Sequence, residues 1–253
     1  MIVKVLVAAL LLAANIQAVF ALTALEIMEK VDTKAEPKDV RSDMTMTLID
    51  KNGGERKRTI RMIRQGSEKQ IMWFLEPADV RGTSFLKVEQ KGDFDDMRLY
   101  LPAFKKVRRI SSSAKSESFM GSDFTYEDMT KRKIEEYDYT QLSDSTIDGK
   151  VCFAVESKVK SGIKTDYRRI VSFIWKDEFI ILYEKLYDKR DQLLKIRTVG
   201  DFEKIKNYQI MKLIRIDNVQ KNHVTILTLA NITVDGNVDP GLFHERNLQK
   251  MPQ

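Results

Sequence analysis

The sequence predicts a mainly β fold of the α+β class: one long antiparallel run with a helix at each end. Three observations carry this reading. Apolar residues recur at every second position from Val40 onward, the mark of strands with one buried face. Turn signals separate these runs, the strongest being Asn52-Gly53-Gly54. Helical spacing is confined to Thr23 to Ala35 and to Pro240 to Gln249, which leaves room for about ten strands between them. No Gly- or Ser-rich linker divides the chain, so a single domain is expected.

The first helix starts from a Thr23 cap with Glu26 three residues on, carries Leu25, Met28 and Val31 at helical spacing, and stops before Pro37. In the strand that follows, Val40, Ser42, Met44, Met46 and Leu48 share one side, while Arg41, Asp43, Thr45 and Thr47 share the other. The return strand, Glu55 to Arg64, is heavily charged, and Gln65-Gly66-Ser67 turns it. Glu68 to Leu75 is apolar on both faces, so the sheet must be covered on both sides there. Thr83 to Glu89 and Met97 to Leu101 follow, joined by a turn at Gly92 to Asp96. Pro102 lacks the amide donor and fits only a strand end or edge. Strands resume at Tyr137 to Leu142 and Val151 to Lys158. Arg168 to Trp175, Phe179 to Tyr187 and Gln192 to Val199 form a meander, and Ile210 to Val219 pairs with Val224 to Ile232. Asp239 caps a terminal helix with Pro240 in its first position. An antiparallel sheet this long must curl, close or be covered, because an open flat edge invites aggregation.

The N-terminus reads as an export signal. Lys4 precedes an unbroken apolar run from Val5 to Ala14, about half of the roughly 20 residues a membrane span needs. Cleavage is expected after Ala21, with Ala18 as the alternative, giving a leader of residues 1–21 and a mature domain of 22–253. The mature chain is expected to be soluble and, in a cell with two membranes, periplasmic. With 43 Lys+Arg against 37 Asp+Glu the net charge is +6, and losing the leader removes only Lys4. Export argues against nucleic acid as the partner of this basic surface and leaves anionic lipid, an acidic protein face or plain solvation. Cys152 is the only cysteine, so the fold must rest on its apolar core rather than on an internal disulfide.

Chemistry-bearing patterns are sparse. His223 and His244 have no ligand-spaced partners and read as surface and terminal-helix residues. Nucleophile-elbow, P-loop and dinucleotide fingerprints are absent, and no cofactor is called for. Gly92-Asp93-Phe94-Asp95-Asp96 lacks the alternating ligands and closing Glu of a calcium loop. Asp123, Glu127 and Asp128 form an acidic group without a nucleophile; a hydrolase reading would require turnover that Asp123→Ala abolishes. The apolar residues say more. Met44, Met46, Met62, Met72, Phe74 and Phe85 alternate on successive strands, where they either form a core or line a concave apolar face. The two roles are compatible.

The segment Leu99 to Asp128, LYLPAFKKVRRISSSAKSESFMGSDFTYED, is the most distinctive in the chain. With PADVRGTSFL (Pro77 to Leu86), its LYLPAFKKVRRI and FMGSDFTYED motifs resemble the outer membrane lipoprotein-sorting protein family, whose members are LolA-like. The resemblance implies an incomplete antiparallel β-barrel, a strongly curved sheet with helices covering the concave face. It implies no enzymatic activity but a carrier for lipoprotein or lipid acyl chains, working with an inner-membrane exporter of the resistance-nodulation-division type. The alternative on the same fold is a periplasmic lipid-sensing or regulatory module. The candidate cavity residues are those six together with Leu99, Leu101, Phe119, Phe124 and Tyr126. Lys105, Lys106, Arg108 and Arg109 form the candidate patch for a headgroup or protein partner.

Overall fold

A computed structural model describes residues 21–91 and 94–252. The expected leader lies outside the described residues except for Ala21, as do Gly92 and Asp93 of the expected hairpin turn. Helix α1 (Ala24–Asp32) begins as expected: the Thr23 hydroxyl accepts from the Glu26 amide, and the Glu26 carboxylate accepts from the Thr23 amide. The strands then follow in order. The first six are β1 (Asp39–Ile49), β2 (Glu55–Gln65), β3 (Lys69–Glu76), β4 (Ser84–Val88), β5 (Asp96–Leu101) and β6 (Lys106–Ile110). The remainder are β7 (Tyr137–Ile147), β8 (Lys150–Val159), β9 (Arg169–Trp175), β10 (Ile180–Tyr187), β11 (Leu193–Ile205), β12 (Tyr208–Asn218) and β13 (His223–Val234).

They form one curved antiparallel sheet of 13 strands in the order β6-β5-β4-β3-β2-β1-β13-β12-β11-β10-β9-β8-β7. Every neighbouring pair is antiparallel, and only the β1–β13 pair joins distant parts of the sequence. The ends of the strand order, β6 and β7, are joined in sequence by residues 111–136, which run through 3₁₀ turns at Ser112–Ala114, Phe119–Gly121, Glu127–Met129 and Ile134–Glu136.

Alternation fixes the two faces. In β1, Met44, Met46 and Leu48 are buried and pack with Ile60, Met72, Phe74 and Leu227, while the intervening threonines are half-exposed. The double-sided burial expected of the third strand is present. Met72 and Phe74 join that inner cluster, and Ile71 and Trp73 pack on the opposite face against Val238, Phe243 and Leu248.

The element producing that outer cover corrects one expectation. The tail is not a helix but two short 3₁₀ turns, Pro240–Leu242 and Glu245–Asn247, with His244 extended between them. Its three anchors fall five residues apart, a spacing that an α-helix would spread around its circumference. Asp39 starts the tail on this path by accepting from the amides of Gly236 and Val238. Leu248 ends it, its carbonyl accepting from the Ser84 hydroxyl at 2.6 Å. Asp239 does cap, accepting from the Gly241 amide.

The charge of Lys105–Arg109 fits either a solvated strand or a turn, and the structure makes Lys106–Ile110 a strand. On a sheet edge that charge is an advantage, since it discourages pairing with another chain. Cys152 is fully buried, and burial pushes its thiol pKa up.

Candidate functional site

A cavity of about 1210 Å³ is lined by residues of β1–β3, the inner faces of β10–β13, the crossing segment 111–136 and the α1 residues Met28 and Val31. Helix α1 packs through Ile27 and Met28 against Val155 and Ile174. No helix among the described residues is long and apolar enough to cross a membrane.

Met44, Met46, Met62, Met72, Phe119 and Phe124 line this cavity. Phe74, Phe85, Leu99 and Tyr126 lie in the packed cluster beside it, and Leu101 packs against that cluster while partly exposed. Phe119 is held among aromatic rings, 5.0 Å from Phe85 edge-on and 5.9 Å from Tyr126 edge-on. The charged candidates are elsewhere. Lys105, Lys106, Arg108 and Arg109 are exposed on or beside edge strand β6, and none lines the cavity. Arg108 pairs with Glu117 at 2.9 Å, and Arg109 with Asp96 at 3.3 Å.

The FMGSDFTYED motif acts as a clasp. Met120 and Gly121 both adopt positive φ, which turns the chain so that the Phe119 amide reaches the Phe124 carbonyl at 2.7 Å. Asp123 is tied to β13: it accepts from the Thr225 hydroxyl at 2.7 Å, and its amide donates to the same hydroxyl at 2.9 Å. Its Oδ2 also lies 2.6 Å from Nδ1 of His223. His223 is therefore not the plain strand-surface residue that its sequence context suggests.

Asp128 ties the other end of the motif to β11. Its carboxylate accepts from Lys195 Nζ at 2.9 Å and from the Tyr167 hydroxyl at 2.6 Å. Burial alone would raise the Asp128 carboxyl, but Lys195 and these hydrogen bonds more than offset it and hold the pKa below the usual value.

Sequence reasoning missed the cluster beside it. Glu184 of β10, fully buried, accepts from Arg132 Nη1 at 2.6 Å and Nη2 at 3.1 Å, from Arg197 Nη1 at 3.0 Å and from the Ser172 hydroxyl at 3.0 Å. Burial raises its pKa, and the two guanidiniums with their hydrogen bonds overcome that and bring it to about 2. Asp128, Arg132, Glu184, Lys195 and Arg197 all line the cavity. A β-bulge hid this arrangement. Between Ile181 and Tyr183 the register shifts, so alternation counted from Ile180 puts Glu184 on the wrong face.

A family model described as an uncharacterized-protein-like family matches residues 66–250. Among curated proteins none matches. Solved structures do. A domain named for outer membrane lipoprotein sorting, from Vibrio parahaemolyticus, is 29% identical with a TM-score of 0.83, covering 90% of this chain and 98% of that one. A DUF1329 family protein from Desulfovibrio piger is also 29% identical, with a TM-score of 0.84 over 89% of this chain and 98% of its own. A LolA superfamily protein from Nitrosomonas europaea shares the fold at 18% identity, with a TM-score of 0.70, 89% of this chain and 99% of that one being covered.

Proposed function

The chain belongs to the family whose model spans residues 66–250, and solved structures 29% identical to it are a lipoprotein-sorting domain and a DUF1329 protein; from that premise we propose that it is a LolA-like periplasmic carrier shielding acyl chains between inner and outer membrane. In this reading residues 1–21 are a cleaved leader and residues 22–253 are the working domain. The sheet is an incomplete barrel, and α1 with the crossing segment 111–136 forms its lid. The donor is an inner-membrane exporter of the resistance-nodulation-division type, and the basic edge at Lys105, Lys106, Arg108 and Arg109 is the face it meets.

One observation carries the proposal: the methionine-rich cavity of about 1210 Å³. That volume exceeds the roughly 300–1,000 Å³ of ordinary small-molecule pockets, and its flexible thioether walls suit a chain of no fixed shape. Each buried CH₂ contributes about 0.8 kcal/mol, so partial enclosure already gives useful affinity. Such contacts are non-directional, which permits release to a better site.

Native mass spectrometry of the protein released from its own envelope tests this. The expected spectrum contains a species heavier than the polypeptide by one acyl lipid, which dissociates on activation. Bare polypeptide alone, with no change in acyl-probe fluorescence, would overturn the reading.

A further inference from the structure

The cavity is not uniformly apolar. In its charged region three cations, Arg132, Lys195 and Arg197, face two carboxylates, Asp128 and Glu184. Glu184 is shared between both guanidiniums, while Asp128 is matched to Lys195 and Tyr167. Within this five-residue cluster one positive charge is left over, the other charges on the wall being of both signs, among them the Lys115–Glu127 and Lys131–Asp32 pairs. Among the described residues, Arg197 donates only from Nη1 and Arg132 only from its two terminal nitrogens, so N–H donors remain on both. These side chains are not sealed off, being 37% and 24% exposed for Arg132 and Arg197.

Register connects this charge to the apolar wall. Arg197 pairs directly with Ile216 of β12. Two positions along the same face, Ile214 pairs with Leu227 of β13, and Leu227 with Met46 of β1. A cation thus stands at one end of a continuous apolar track.

Resting on the acyl-binding reading above, we infer that the cavity selects a single-chain acyl anion, with its carboxylate at Arg197 and Arg132 and its chain along Ile216, Ile214 and Met46. A guanidinium fork suits a carboxylate, and charge-assisted hydrogen bonds in a partly desolvated site are about twice as strong as neutral ones. An uncharged acyl ester would leave the extra cation unmatched.

The test compares cis-parinaric acid with its methyl ester on the delipidated full mature chain, by probe fluorescence at neutral pH. The acid should bind about tenfold more tightly than the ester. Arg197→Gln should reduce this ratio towards unity. Glu184→Gln, which removes an anion from the same cluster, should increase it, an outcome that loss of folding cannot produce. Palmitate should displace the bound acid, and inorganic phosphate at matched ionic strength should not. Equal affinity for acid and ester would overturn the inference while leaving the carrier reading intact. An acid preference unchanged by both Arg197→Gln and Arg132→Gln would overturn it too, as would displacement by phosphate. Binding of neither probe would overturn the carrier reading itself, and this inference with it.

Discussion

Asp123 and His223, 100 positions apart, meet with Oδ2 2.6 Å from Nδ1, and this contact fastens the crossing segment to strand β13. Asp123 is buried, and the Thr225 hydroxyl donates to the same oxygen. Replacing the carboxylate by a methyl group leaves that hydroxyl and the imidazole without their acceptor. Asp123→Ala is expected to cost about 2–3 kcal/mol, read as a lowered urea midpoint. Asp123→Asn, which keeps an acceptor oxygen, should cost less. The loss should come with faster proteolysis within residues 111–136.

Acid should loosen the cavity through Glu184. Its folded pKa of about 2 lies below its ordinary 4.5, so the unfolded chain binds the proton more readily. The stabilisation is therefore fully present above about pH 4.5 and disappears as pH falls through about 2. Urea midpoints measured between pH 6 and pH 2.5 should fall for the wild-type chain. In Glu184→Gln that fall should be shallower, from a starting stability at pH 6 lower by about 3 kcal/mol, since two guanidiniums lose their counter-charge.

The tail should act as an outer strap. Leu248 is almost fully buried against the face that carries Trp73, and the Trp73 indole donates to the Asn247 carbonyl at 3.4 Å. Leu248→Ala is expected to destabilise by about 2–5 kcal/mol. Removing residues 238–253 should also shift the tryptophan emission to the red, because Trp73 then meets water.

Phe119 and Phe124 are expected to separate stability from binding. Phe119 is fully buried among Phe74, Phe85 and Tyr126, so Phe119→Ala should cost about 3–5 kcal/mol in urea unfolding. Phe124 lines the same cavity but makes no such ring contacts among the described residues, so Phe124→Ala should weaken acyl-probe binding at a smaller loss of stability.

Most strands were legible because their signal is local. The Met44–Met46–Leu48 alternation, the two-sided apolar run at Ile71–Phe74 and the Thr23–Glu26 cap can each be read without knowing what packs against them. What escaped depends on distant partners. The tail looked helical because Pro240 follows a capping Asp239, yet contacts with Trp73 and Ser84 draw it into two turns. The charges of β6 left it open between a solvated strand and a turn, and only its place at the sheet edge decides for the strand. The Arg132–Glu184–Arg197 cluster joins three separate segments, and it is the bulge after Ile181 that turns Glu184 inward, against the phase that simple alternation gives. His223 similarly needed Asp123, which no spacing rule connects to it.

The most direct measurement is a titration of delipidated residues 22–253 with the uncharged methyl ester of cis-parinaric acid, run beside Leu229→Asp. Leu229 is a partly exposed cavity wall residue opposite Met44, so a carboxylate there intrudes on the apolar track without breaking a sealed core. The account predicts a saturable rise in emission at one site per chain for the wild type, and a clear loss of that affinity in the variant. No saturable rise, or the same curve for both proteins, would contradict it.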